Sequence, residues 1–366
     1  MIAKSDIRAE AARLLDYFRA AGAAHVETDI LQPARTLIDL YGEDIRARTY
    51  VTNDPLRGEM MLRPDFTVPL VLHHMANGDG EARYTYAGEV FRQQEAEADR
   101  PSEYIQVGYE LFSAEDPARA DAEVFALFEE VLSPLGLRAS TGDIGILMAA
   151  VRGLKASPAR KAALLRHIWR PRRFRALIER YSGRAPVPPA RAKLLADVAA
   201  GRDVIGEAGP LVGLRGRDEI EARVEALVAD AAEPPLSEGE SQLLDEILSL
   251  HETLPMVLER LRDLEVDMPA LAPAVERFAA RTDALADAGI DVDGLMFEGS
   301  YGRSTMEYYD GFIFGFYAPG APAMPPVASG GRYDALVRAL AREGGCPAVG
   351  GVIRPGLMLD VREGLA

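Results

Sequence analysis

Residues 90–112 read VFRQQEAEADRPSEYIQVGYELF: an extended arm, an acidic and turn-prone stretch, then a second extended arm. In the second arm the residues alternate without exception. Gln106, Gly108 and Glu110 point one way and Ile105, Val107, Tyr109 and Leu111 the other, because strand side chains have period two. The same count along the first arm puts Tyr84, Tyr86, Gly88, Val90 and Arg92 on one face. Strands over 84–92 and 104–112 therefore make an antiparallel hairpin. Its loop of about ten residues exceeds the usual two to five, which marks a functional loop.

A continuous polar face on this hairpin would hold a cation, an amide, a carboxylate and two glycines together. Glycine inside a strand weakens it and often marks close approach of a ligand to the backbone. Arg92 offers a planar fork to a carboxylate or phosphate. Glu110 can accept from an amine or an imidazole N–H. The plain alternative is a solvated sheet face with an internal Arg–Glu pair.

Outward from the hairpin, residues 4–21 read as an amphipathic helix with Ile7, Ala11, Leu14, Leu15 and Phe18 on one stripe. A strand is expected over 48–53. MLRPDFTVPLVLHHMANG follows as strand, turn and helix, with Thr67 and Pro69 as cap and first-turn residues. Another helix is expected over Asp121 to Leu132. From about 140 to 290 Ala, Leu, Arg and Glu dominate, and breakers such as APVPPA and AEPPLSEGES separate helices. Strands return at GLMFEGSY, YYDGFIFGFYA and AVGGVI, with the helix RYDALVRALARE before the last. Distant strand segments with helices between them give an α+β fold: one mainly antiparallel sheet flanked by helices, with a helical insertion.

The chain has 366 residues and a formal charge of −16 (41 basic against 57 acidic), which opposes general affinity for nucleic acid. One cysteine, Cys346, excludes an intramolecular disulfide and a Cys-based zinc site. The five histidines lack helical zinc spacing, so neither metal nor cofactor is expected. The amphipathic N-terminus is not a signal peptide, and no apolar run is long enough to span a membrane; a soluble cytoplasmic protein is expected. Residues 152–175 carry nine Lys or Arg and no acid. They read as a solvated surface, or as a docking surface with Trp169 as its anchor. RNA contact is disfavoured by the acidic remainder.

LRPDFT brings Asp65 and Thr67 to a strand end, MEYYDGF brings Tyr308 and Tyr309, and SGGRYDALV brings Tyr333. There is no Walker loop, dinucleotide fingerprint or nucleophile elbow. In order, these segments resemble the catalytic core of histidyl-tRNA synthetase, a class II aminoacyl-tRNA synthetase. MLRPDFT is similar to its Leu-Arg-Pro-Glu-Gly-Thr segment and the hairpin to class II motif 2. MEYYDGFIF and GGRYDALV are similar to its two histidine signatures, and CPAVGGVIRPGLML stands where motif 3 belongs. The resemblance covers most of 5–135 and 295–360.

It implies a histidine pocket made by Asp65, Thr67, Arg92, Gln106, Glu110, Tyr309 and Tyr333, with Gly108 leaving room for the ligand. The adenylation apparatus departs from the pattern. Ser304 replaces a signature arginine, for which Arg303 could substitute only through a shift in register. Leu357 stands at the motif 3 arginine and Gln94 at the motif 2 glutamate. Stabilising a transferring phosphoryl group needs preorganised cations, so no catalytic residue is assigned. No anticodon-binding domain is expected within 1–366, and no tRNA partner.

A synthetase-like core of this kind resembles the regulatory subunits of ATP phosphoribosyltransferase, which act with the short-form catalytic subunit in histidine biosynthesis. The resemblance implies a non-catalytic subunit, histidine as feedback effector, and a homodimer within a hetero-oligomer, although Asp29 stands where motif 1 has proline. The alternative is a shortened synthetase paralogue that activates an amino acid for an acceptor other than tRNA.

Overall fold

In a computed structural model, residues 2–41, 43–78, 80–94, 101–303, 308–341 and 344–365 are described. The strands are β1 Ala24–His25, β2 Leu31–Pro33, β3 Val51–Asp54, β4 Gly58–Leu62, β5 Ala82–Phe91, β6 Glu103–Phe112, β7 Arg138–Asp143, β8 His251–Thr253, β9 Met296–Glu298, β10 Phe312–Tyr317, β11 Ala328–Arg332 and β12 Ala348–Ile353. The chain divides into two compact units, residues 148–247 and the remainder.

The larger unit is built on a nine-stranded sheet of order β1-β5-β6-β12-β11-β10-β7-β9-β8. Among the described residues, only β1–β5 and β7–β9 pair in parallel. One face carries an aromatic core. Phe314 and Phe316 of β10 and Tyr109 of β6 meet Phe18 of the helix Lys4–Ala20 and Phe125 and Phe128 of the helix Pro117–Leu132, with ring centroids 5.4–5.5 Å apart. Rings of this size dominate core burial, and this face decides which way the sheet is oriented. The opposite face is poor in side-chain bulk, with Gly108, Gly350, Gly331 and Gly315 in neighbouring strands. A cleft forms there.

The helix expected from Asp121 starts four residues earlier, because Pro117 fits its first turn and Asp116 accepts the Arg119 N–H at 3.1 Å. The strand expected over 48–53 is Val51–Asp54, the edge of a separate small sheet of order β2-β4-β3. The hairpin loop lies partly in 95–100, outside the described residues.

The expected helical stretch of 140–290 is not uniform. β7 opens it, and the helices Leu254–Asp267 and Ala272–Asp287 belong to the larger unit. Residues 148–247 alone are helical throughout, around Leu164, Ile168, Phe174, Ile178 and Leu244. Within this unit the basic run is divided. Arg160 is buried, donating from Nε to Asp230 at 2.8 Å and from Nη1 to the Pro234 carbonyl at 2.8 Å, whereas Arg166, Arg172, Arg173 and Arg175 are exposed. Trp169 is half-buried.

Candidate functional site

Strand register makes the two polar arms one surface. Tyr84 lies opposite Glu110, Tyr86 opposite Gly108 and Gly88 opposite Gln106, and the β12 residues Gly350 and Val352 continue the row beyond Glu110 and Gly108. Over this floor all seven expected residues, Asp65, Thr67, Arg92, Gln106, Glu110, Tyr309 and Tyr333, line one cavity.

Glu110 is fully enclosed. Its Oε1 accepts from the Tyr86 hydroxyl at 2.9 Å and its Oε2 from the Tyr333 hydroxyl at 2.7 Å. Burial raises the carboxyl to about 8, against those two hydrogen bonds, and the nearby Asp65 charge adds to the rise. Protonated or not, the carboxyl has more lone-pair sites than the two tyrosine hydroxyls use, so acceptor capacity remains for a ligand N–H. Asp65 accepts the Thr67 N–H at 3.2 Å; burial raises its carboxyl, while the Arg92 charge and the N–H groups of Thr67 and Val68 oppose the rise. Thr67 is therefore not a cap. It is the first residue of the helix Thr67–Asn77, and its hydroxyl hydrogen-bonds the Tyr308 hydroxyl at 3.2 Å.

Arg92 is held by donation from Nε to the Pro64 carbonyl at 2.8 Å. Gln106 is 1% exposed, and its Oε1 has no hydrogen-bond partner among the described residues. Such an orphaned buried acceptor is costly unless something donates to it.

The role expected of Gly108 is corrected. A Cβ there would lie 2.1 Å from Cζ of Tyr86, so the protein's own phenol fills the space. Tyr86 stacks on Phe66 at 4.1 Å, and the Arg63 guanidinium covers Phe66 at 4.0 Å. The stack fixes the phenol that orients Glu110.

Besides the β12 residues Gly350, Gly351 and Val352, three polar lining residues lie outside the expected pocket set: Tyr308, Ser329 and Arg354. Counting by twos along β12 from Gly350 reaches Arg354, and along β11 from Ser329 reaches Tyr333, so the signal was the register between distant strands. Arg303 is 3% exposed and is not part of the cavity lining. Leu357, in the helix Pro355–Arg362, does not line it either. Ser304 lies outside the described residues. Among those described, no cluster of three or more His, Cys, Asp or Glu side chains could hold a metal, and no helix is long and apolar enough to cross a membrane.

The raised Glu110 pKa fixes a pH dependence. The folded protein keeps this proton where the unfolded chain, at the ordinary value of 4.5, has lost it. The stability contribution is thus full below that value and is lost as pH rises towards about 8. Glu110→Gln should gain stability relative to the unsubstituted protein from about pH 5 to pH 8, by up to about 1.4 kcal/mol per pH unit. Urea midpoints that stay parallel over that range would contradict the assignment.

The family model described as "Histidyl-tRNA synthetase" matches residues 3–233 and 217–355. The protein named "ATP phosphoribosyltransferase regulatory subunit" from Agrobacterium fabrum is 31% identical over 356 residues, covering 93% of each chain. Among solved structures, an ATP phosphoribosyltransferase regulatory subunit/histidyl-tRNA synthetase from Bacillus halodurans matches with TM-score 0.67 at 19% identity, covering 98% of this chain and 79% of that one. A histidine–tRNA ligase subunit from Alicyclobacillus acidocaldarius matches with TM-score 0.61 at 22% identity, covering 99% and 94%. These two show the shared fold, a class II synthetase-like sheet flanked by helices. At the identity and coverage of its curated relative, and with a histidyl-tRNA synthetase model matching nearly its whole length, the chain belongs to the ATP phosphoribosyltransferase regulatory subunit family.

Proposed function

We propose that this chain is the non-catalytic regulatory subunit of an ATP phosphoribosyltransferase in histidine biosynthesis, and that its cavity binds free histidine as feedback effector. The observation that carries the ligand reading is one enclosed cavity combining Glu110 and Asp65, the orphaned Gln106 Oε1, and the cations Arg92 and Arg354. A zwitterion with a further N–H donor matches that mixture. The partner is the short-form catalytic subunit in the cytoplasm, with this chain a homodimer within the hetero-oligomer. Feedback requires histidine to favour the inhibited arrangement, at a typical coupling of about 1–3 kcal/mol.

The test is calorimetric titration of histidine into this chain alone and into the reconstituted complex, beside transferase assays with and without the chain. Saturable histidine binding to the isolated chain is expected, as is transferase activity that requires it. Glu110→Ala should weaken histidine binding by about 1–3 kcal/mol and desensitise inhibition. Unchanged inhibition in that variant would move the effector site to the catalytic subunit.

Two guanidinium groups in one cavity also favour a second reading, a shortened synthetase paralogue. Pyrophosphate exchange dependent on histidine and ATP distinguishes it, and none is expected.

A further inference from the structure

Arg63 is 5% exposed, does not line the cavity, and is held by main-chain carbonyls where the buried Arg332 and Arg281 rest on carboxylates. Its Nε donates to the Glu89 carbonyl at 2.9 Å and its Nη1 to the Thr28 carbonyl at 2.6 Å, with the Thr28 hydroxyl 3.3 Å from Nη1. Burial lowers the pKa of the guanidinium, and the charges of Glu89 and Asp29 oppose this from further off. The backbone is pinned as well: the Arg63 N–H donates to the Ile30 carbonyl at 2.8 Å, and the Arg63 carbonyl accepts the Phe91 N–H at 3.0 Å. A lysine, with three donors of its own, could serve the same acceptors. What a lysine lacks is a flat face.

That face is in use. Cζ of Arg63 stands 4.0 Å from the centre of the Phe66 ring, and the Tyr86 ring lies 4.1 Å from it, 15° from parallel. Two groups that close to one ring centre must occupy its opposite faces, so guanidinium, Phe66 and Tyr86 form a single column. At its far end the Tyr86 hydroxyl donates to Oε1 of Glu110 at 2.9 Å. Both glycines of the hairpin floor make room for this column. A Cβ on Gly88 would lie 2.6 Å from Nη2 of Arg63 and 3.1 Å from Cζ of Phe66, just as one on Gly108 would strike Tyr86. A hydroxyl orients a carboxyl only while its own ring is held, and here the ring is held by a plane that the guanidinium backs.

We propose that Arg63 is the positioning residue for Glu110: acting through Phe66 and Tyr86, it holds the carboxyl in place for the bound amino acid, and it does so by its plane and not by its charge. This role rests on reading the cavity as a histidine site. Arg63 itself touches no ligand. It fastens the column to the backbone of residues 28–30 and 89–91, so the orientation of Glu110 is set from outside the cavity.

The experiment is calorimetric titration of L-histidine, from about pH 6 to pH 9, into the full chain, Arg63→Met, Arg63→Lys, Tyr86→Phe, and Arg63→Met combined with Tyr86→Phe. Arg63→Lys keeps the charge and the donors, so it tests the plane even where Arg63→Met unfolds. It should retain a cooperative thermal transition and lose about tenfold in histidine affinity, as should Arg63→Met. In the Tyr86→Phe background Arg63→Met should cost less than about threefold more, because the column no longer ends on Glu110. The pH profile separates positioning from general loosening. Burial raises the Glu110 carboxyl to about 8 against the Tyr86 hydrogen bond, so a phenol that is no longer held lets the carboxyl rise further. The Glu110 step should therefore move to higher pH in Arg63→Lys and Tyr86→Phe alike. Histidine's own titrations are common to every variant and cancel in the ratio to the unsubstituted protein. Histidine affinity in Arg63→Lys equal to that of the unsubstituted protein, an undiminished effect of Arg63→Met beside Tyr86→Phe, or a Glu110 step that stays in place overturns the positioning role and leaves the histidine reading intact. No histidine binding by the unsubstituted chain overturns both.

Discussion

Arg332→Met is expected to destabilise the protein by about 3–5 kcal/mol, the usual consequence of leaving a buried charge without its partner. Arg332 donates to Asp121 from Nε at 2.9 Å and from Nη2 at 2.7 Å, and Nη2 also reaches the Pro117 carbonyl at 2.8 Å. Asp121 is 2% exposed, and its second oxygen lies 3.5 Å from Arg281, which is held by Asp143 at 2.6 Å. Nη1 of Arg332 meets Asp334 at 3.2 Å, whose carboxylate also accepts the Ala348 N–H at 2.9 Å. One side chain thus ties β11, the helix Pro117–Leu132 and the start of β12 together. Burial already raises the Asp121 carboxyl, and the charges of Arg332 and Arg281 restrain the rise. Without Arg332 the carboxyl goes higher still, so the deficit should be largest near neutral pH and shrink as acid protonates Asp121. Adding Asp121→Asn to Arg332→Met should recover part of the loss, since the neutral amide removes the stranded charge. Equilibrium urea unfolding measures all of this; an Arg332→Met midpoint equal to that of the unsubstituted protein would show the network to be energetically idle.

That network also shows where reading by sequence stopped. Strand periodicity exposed the pocket floor because it is a local rule: Gln106, Gly108 and Glu110 had to share a face whatever they packed against. The segment resemblance supplied Asp65, Thr67, Tyr309 and Tyr333, and all of them reach the same cavity as Arg92 and Glu110. What stayed hidden was non-local. Asp121 and Arg281 are 160 positions apart, and nothing in either neighbourhood announces the pair. In GGRYDALV, successive residues serve opposite faces, with Tyr333 reaching Glu110 and Arg332 reaching Asp121; only the first role was legible. Arg354 was not legible because the motif position falls on Leu357, whereas the register of β12 sets Val352 opposite Gly108 and Arg354 two residues on lines the cavity. The boundary of the helical unit was blurred for a related reason. Helices at 254–267 and 272–287 have the same composition as those before them, but they pack in the larger unit, and composition does not record packing partners.

Gly350→Ala is expected to damage the site more severely than the loss of any one lining side chain. A Cβ on Gly350 would stand 1.5 Å from Oε2 of Glu110, 2.3 Å from its Cδ and 2.8 Å from the Tyr109 carbonyl oxygen. The carboxylate lies directly on the glycine, and it has little freedom to leave. Tyr86 and Tyr333 hold its two oxygens, and Tyr86 is itself locked between Gly108 and the Phe66 ring. Overpacking a close-fitted site typically costs about 1–3 kcal/mol, and each buried phenol bond broken adds about 1 kcal/mol or more, so a loss of about 2–4 kcal/mol is expected, with histidine binding falling below detection. The decisive measurement is the double variant. In Glu110→Ala the carboxylate is gone and only the Tyr109 carbonyl still crowds a Cβ at 350, so Gly350→Ala made in that background should cost no more than about 1 kcal/mol in urea unfolding, a coupling of about 1–3 kcal/mol between the two positions. Additive losses would mean that the Tyr109 carbonyl, and not the carboxylate, is what the glycine accommodates, and Glu110 would then lose its place as the group around which the cavity floor is arranged.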